Sequence, residues 1–238
     1  MDIKVLASGS AGNCYRVSDG ATILLLDAGI SIRLIREGCG YELGRVSGCL
    51  ITHSHGDHVR ALRDLLTYAV PVYIPGGEID ALGIRHHRVH RLARSGDSYA
   101  PFAVGTFAVL PFKTEHDTPE PVGYLLASSI TREKLLYFTD TFYLTERFDS
   151  LTHIIGEVNY DSDMMWQKVD AGETPAVRAK RLFGTHMNLE VFLDFLRTVG
   201  HPETIRQIWV CHMSEDHGDE PKTLDAVRKL TGAEVYIC

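Results

Sequence analysis

At 238 residues the chain is long enough for one generous domain or two small ones. Its composition, 45% hydrophobic and 23% charged, supplies a large core and excludes a disordered or low-complexity chain. A formal charge of −7 argues against a protein that holds long nucleic acid by overall phosphate neutralisation.

The opening MDIKVLASGS lacks the long apolar region of a signal peptide. Ile3 to Leu6 and Thr22 to Leu26 read as strands separated by the glycine-rich SGSAGNCY, where Gly9 and Gly12 permit a tight turn. No Lys-Ser/Thr follows that turn and a strand comes next, so it reads as a hairpin connection rather than a phosphate cradle. Asp27-Ala28-Gly29 closes the second strand, and Ser31 stands where it can cap a short helix through Glu37. Gly48 to Thr52 is the next strand. A helix over Asp57 to Ala69 follows, then a strand over Pro71 to Ile74, and Pro75-Gly76-Gly77 breaks into another helix.

Ile84 to Leu92, IRHHRVHRL, is the most basic stretch, and it reads either as an anion-binding or pocket-lining segment or as a solvated connection. Phe102 to Phe112 alternates like paired strands, and Val122 to Ala127 and Leu135 to Phe138 continue the pattern. His153 to Val158 is a buried strand, and Met164 to Arg181 is helical with a break at Gly172 and Pro175. Leu189, Phe192, Leu193 and Leu196 mark an amphipathic helix capped by Asn188. Ile205 to Val210 is a strand, a helix carrying Leu224, Val227 and Leu230 ends at Gly232, and Val235 to Ile237 is the last strand. Strands followed by mixed helices and strands, twice over, fit an α/β sandwich, with no linker or repeat dividing residues 1–238. Cys14, Cys39, Cys49, Cys211 and Cys238 are scattered and never in CxxC spacing, which suits reduced thiols of a cytoplasmic protein. No apolar run reaches membrane-spanning length.

The chemistry concentrates at Thr52 to Val59, THSHGDHV. Imidazole and carboxylate together suit zinc or a similar first-row metal. His53 and His55 are two residues apart at a strand end and point to one side, whereas Asp57 and His58 follow the Gly56 turn and project at another angle. Two donor sets diverging from one loop can serve two metals.

HxHxDH after a buried strand resembles the signature of the metallo-β-lactamase superfamily. That resemblance implies an αββα sandwich over residues 1–238, with the metals at one edge of two packed sheets. It further implies that His116 in PFKTEHDTPEPVGY, Asp140 in LLYFTD and His212 in CHMSEDHGD complete the ligand set. His53, His55, His116 and Asp140 would then hold one metal, and Asp57, His58, Asp140 and His212 the other. Asp140 would bridge them. His217 is the rival of His212, but it lies beyond the strand end. HIIGEVNY and GTHMNLEV resemble the tRNase Z-like and WalJ-like phosphodiesterase branch. By that match Glu157 orients His186, and His186 protonates the leaving oxygen. A departure from the WalJ pattern is SEDHGD, where that family carries paired asparagines.

The resemblance extends to small phage-encoded members, including anti-Pycsar hydrolases of cyclic mononucleotides. The expectation is therefore a phosphodiesterase with two divalent ions, zinc or alternatively manganese, acting on a 3′,5′-cyclic nucleotide, with Asp57 helping to orient the nucleophile. A WalJ-like DNA or RNA exonuclease is the alternative. A glyoxalase II-like thioester hydrolase fits less well, because a thiolate leaves without the proton that His186 would supply. A homodimer in the cytoplasm, of the host cell if phage-encoded, completes the expectation.

Overall fold

The computed structural model describes residues 1–238 and divides into two units, Met1–Lys113 with Thr118–Glu133, and Thr114–Asp117 with Lys134–Cys238. The first unit carries a six-stranded sheet of β1 (Asp2–Ala7), β2 (Cys14–Ser18), β3 (Ile23–Leu26), β4 (Val46–Leu50), β5 (Val72–Ile74) and β6 (Val89–Arg91), in that spatial order. The first three strands are antiparallel neighbours, and β3 to β6 run parallel. Parallel neighbours need crossovers, and helices supply them. α1 (Ile32–Gly38) follows β3, α2 (Gly56–Val59) and α3 (Leu62–Thr67) follow β4, and α4 (Gly76–Leu82) follows β5. Leu25, Ile35, Cys49, Ile51, Leu62, Leu65 and Val72 meet in one buried cluster. A short ribbon, β7 (Arg94–Ser95) with β8 (Ser98–Tyr99), leads to three antiparallel strands: β9 (Phe102–Val104), β10 (Phe107–Lys113) and β11 (Val122–Ser128).

The second unit carries parallel strands β12 (Lys134–Phe138), β13 (His153–Glu157), β14 (Gln207–Cys211) and β15 (Glu234–Ile237). α5 (Ser162–Asp170), α6 (Ala176–Thr185) and α7 (Leu189–Thr198) lie between β13 and β14, and α8 (Glu220–Thr231) precedes β15. Asp161, Asn188 and Asp219 cap their helices by accepting from the backbone N–H of Met164, Val191 and Lys222. Gly232 ends α8 at φ +69°, a left-handed turn that suits glycine.

The structure corrects several expectations. Cys14 and Tyr15, read as the end of the glycine-rich connection, instead open β2, which runs on to Ser18 because the pairing of Tyr15 with Leu26 and Val17 with Leu24 satisfies that backbone. The single helix expected over 57–69 is two helices. The carbonyls of Asp57 and His58 accept from the N–H groups of Asn13 and Ala28, each at 2.8 Å, and are therefore lost to a helical ladder. That approach needs Gly29, since a Cβ there would stand 1.5 Å from the Asp57 carbonyl oxygen. Ser31 precedes α1 but makes no side-chain cap bond. All the cysteines are free thiols; Cys14, Cys49 and Cys211 are buried, and burial pushes the Cys14 and Cys49 thiols well up. No helix is long and apolar enough to cross a membrane.

Candidate metal centre

In the first unit, His53 follows β4 by three residues and is buried, as is His58 on α2, while His55 and Asp57 are half-buried. The ring of His53 lies 4.1 Å from that of His58 and 4.9 Å from that of His55. Asp27, at the end of β3, organises this cluster. One of its oxygens accepts from the Thr52 backbone N–H at 2.8 Å, and the other receives the Thr52 hydroxyl and His58 Nδ1, both at 2.9 Å. Because the Thr52 hydroxyl proton goes to Asp27, that oxygen can only accept from His53 Nδ1, 3.0 Å away. Both imidazoles are therefore fixed with Nδ1 protonated and the lone pair on Nε2. Asn13 completes the arrangement, its amide nitrogen lying 3.1 Å from His58 Nε2 and donating to the Gly9 carbonyl. From below, Glu78 accepts from the Ser54 N–H at 2.9 Å and holds the ligand loop against α4.

In the second unit, Asp140 follows β12, Glu157 ends β13 and His212 follows β14. Parallel strands place their carboxyl ends on one side, where catalytic groups of such sheets gather. Donor atoms of Asp140, Glu157, His186 and His212 all lie within 4.8 Å of one another. Glu157 is fully buried; Oε1 receives His186 Nδ1 at 2.6 Å and His212 Nδ1 at 3.1 Å, and Oε2 receives the Thr141 N–H at 3.0 Å. Burial alone would raise this carboxyl, but the His186 charge and the bonds from both histidines hold it below its usual range. Burial alone would lower His186, and Glu157 and Asp140 outweigh it, so its pKa is raised. His116 donates Nδ1–H to the Thr185 carbonyl at 3.1 Å, and its Nε2 lies 3.2 Å from an Asp117 carboxylate oxygen. Burial lowers its pKa despite Asp140 and Asp117 nearby. Asp140 and His212 adopt φ of +48° and +53°, as Asp27 does at +56°. Such left-handed turns at non-glycine residues cost about 1–3 kcal/mol each and collect at functional sites.

The structure thus gathers His53, His55, Asp57 and His58 in one unit, and His116, Asp140, Glu157, His186 and His212 in the other. Imidazoles with Nδ1 tied back and Nε2 presented, beside carboxylates, make a donor chemistry that fits divalent metal. His217 lies elsewhere, bonded to Thr174 at 2.9 Å and accepting through its carbonyl from Asp161 N–H. Asp27, Asn13, Glu78 and Asn159, whose amide donates to the His212 carbonyl at 2.8 Å, are additions that sequence reasoning did not find. Their only signal is a polar residue beside an apolar run, as in ILLLD, which also describes an ordinary turn.

The model of the Metallo-beta-lactamase superfamily matches residues 7–186. The chain belongs to that superfamily. Its α/β fold, with two sheets and buried His/Asp clusters, is the metallo-β-lactamase fold expected from HxHxDH. Exodeoxyribonuclease YycJ of Bacillus anthracis is 31% identical over 179 residues, which cover 69% of this chain and 65% of that relative, less than two thirds of its length. The metallo-β-lactamase fold protein YhfI of Bacillus subtilis superposes with a TM-score of 0.73 at 16% identity, over 99% of this chain and 95% of that one. The human tRNase Z, short form, gives 0.64 at 16% identity, over 100% and 96%. It is related in sequence to an exodeoxyribonuclease, and its His/Asp clusters offer donors suited to a metal ion.

Proposed function

We propose that this chain is a phosphodiesterase acting on nucleic-acid strands in the manner of an exonuclease, with two divalent ions, zinc or manganese, in a single metallo-β-lactamase domain. His53, His55, Asp57, His58, His116, Asp140 and His212 are the proposed donors, Asp140 the bridging one. The observation that carries the reading is the 2.6 Å contact of His186 with buried Glu157, beside Asp140 at 3.2 Å. Glu157 holds Nδ1 and turns Nε2 outward, so the ring can deliver a proton to an alkoxide leaving from phosphorus. A thioester would need no such proton. When bound, the metals supply Lewis-acid activation and offset charge on the phosphoryl oxygens. Asp57 would orient the attacking group, and Asn13 and Thr52 keep the neighbouring imidazoles in register.

Similarity to an exodeoxyribonuclease supports a polymeric substrate and revises the small-substrate expectation. Hydrolysis of 3′,5′-cyclic mononucleotides, as in phage counter-defence, is the second reading and rests on the net charge of −7. Incubating the metal-loaded protein with single- and double-stranded DNA, RNA, cyclic mononucleotides and a thioester decides between them. Progressive release of mononucleotides from DNA is the expected result. Turnover of a cyclic mononucleotide with intact polymers would overturn it.

A further inference from the structure

The basic stretch at residues 84–92 ends in β6, the outermost strand of the six-stranded sheet, so its outer edge faces no further strand. Arg85, His86, His87, His90 and Arg91 are exposed and Arg88 is half-buried. Arg91 pairs with Asp80 at 3.1 Å, whereas Arg85 and Arg88 make no ion pair, leaving uncompensated positive charge on an acidic chain.

Ring geometry adds something a merely solvated charge run would not show. Phe102, Tyr73 and His90 stack in series, with centroids 5.0 and 4.8 Å apart and planes inclined by 19° and 21°. His90, on the edge strand, is the exposed end of that stack. His86 and His87 form a second stacked pair, at 4.4 Å and 29°. Exposed flat rings among guanidinium groups are what unpaired bases and their phosphates recognise. The position also fits. Parallel register sets Leu50 beside Tyr73 and Tyr73 beside His90, so Arg91 stands level with Ile51, two residues before His53. Two strand spacings, about 10 Å, separate that edge from the strand that delivers the histidines.

We propose that β6 and the segment leading into it form a docking strip for a single nucleic-acid strand. Arg85 and Arg88 take phosphates, and the exposed faces of His90 and the His86–His87 pair take bases. The proposal rests on the nucleic-acid reading above and names the surface that would feed a strand toward the metal loop.

The test is binding of a fluorescent single-stranded phosphorothioate oligodeoxynucleotide, which resists cleavage, to the metal-loaded protein over a range of salt. Arg85→Ala with Arg88→Ala should weaken binding and reduce the slope of log affinity against log salt by about 1.4, two phosphate contacts on a single strand. His90→Ala should weaken binding about 5- to 150-fold with the slope unchanged, and His90→Phe should retain affinity because it keeps a stacking face. The proposal is overturned if the wild-type protein does not bind, or if these variants bind as wild type does. Binding to phosphatidylserine vesicles through Arg85 and Arg88, with none to the oligonucleotide, would make the strip a membrane contact and overturn it too. Oligonucleotide binding without hydrolysis of ordinary DNA would instead retire the exonuclease reading and leave the strip. DNA hydrolysis with unaltered variants would do the reverse.

Discussion

Glu157 and His186 form an ion pair inside the second unit, and its consequence for pH follows from opposite shifts. With the imidazole held above its ordinary value of about 6.5, the proton it would deliver is lost as pH rises through the raised value. Activity on an alkoxide-leaving phosphodiester should therefore fall on the alkaline side. His186→Ala should cut that activity by about 10²–10⁴ and remove the alkaline limb, while leaving metal content unchanged by elemental analysis. A nitrophenyl phosphodiester, whose leaving group scarcely needs a proton, should be affected far less. Equal loss on both substrates would contradict the acid role. Asp27 acts differently, through Thr52 and His58. Asp27→Asn removes one acceptor and should weaken metal binding by about 10–100-fold in competition with a chelator, with the circular dichroism unchanged. Unaltered affinity would show that the imidazoles orient themselves. The histidines were legible because imidazoles crowded after CLI have few other uses. Asp27 was not, because DAG reads equally well as a turn.

Most strands and the helices of the second unit were visible in the sequence, since apolar periodicity and caps such as Asn188 are local signals. What escaped depended on distant partners. No local feature of Asp57 or His58 announces that Asn13 and Ala28 will take their carbonyls and split the helix. β2 was hidden because Arg16 and Ser18 interrupt its apolar pattern, although Ser18 is buried. Asp19 shows the same nonlocality as an energetic term. It accepts from the N–H groups of Ala21 and Thr22 and from the hydroxyls of Thr106 at 2.6 Å and Ser128 at 2.7 Å, pinning three turns together. Burial opposes its charge, but these bonds prevail and depress its pKa. Its stabilisation is fully present above the unfolded value, about 3.9, and is lost as pH falls through the lower folded value. Asp19→Asn should cost about 1–3 kcal/mol at neutral pH. Thermal melts should show the gap between variant and wild type closing in acid; a gap constant with pH would rule out the charged bonds as its source.

For the molecule as a whole, two bound dications would offset four units of the formal net charge of −7. A ligand that binds only the folded chain stabilises it by mass action, so chelation should lower the melting temperature and added zinc should restore it. Elemental analysis should find close to two metals per chain. Less than one, not restored by added metal, would contradict a paired site. The cysteines bear on how such measurements are made. Soft thiolates compete with imidazole for zinc, yet Cys14 and Cys49 are sealed in the core and kept protonated by burial, and at Cys238 burial pushes the thiol up to about 12. While the fold is closed, Cys14 and Cys49 offer an electrophilic dye almost no thiolate. Its slow reaction with those two thiols is therefore a clock for opening of the fold, one that runs in the same tube as a metal titration and leaves the histidines untouched.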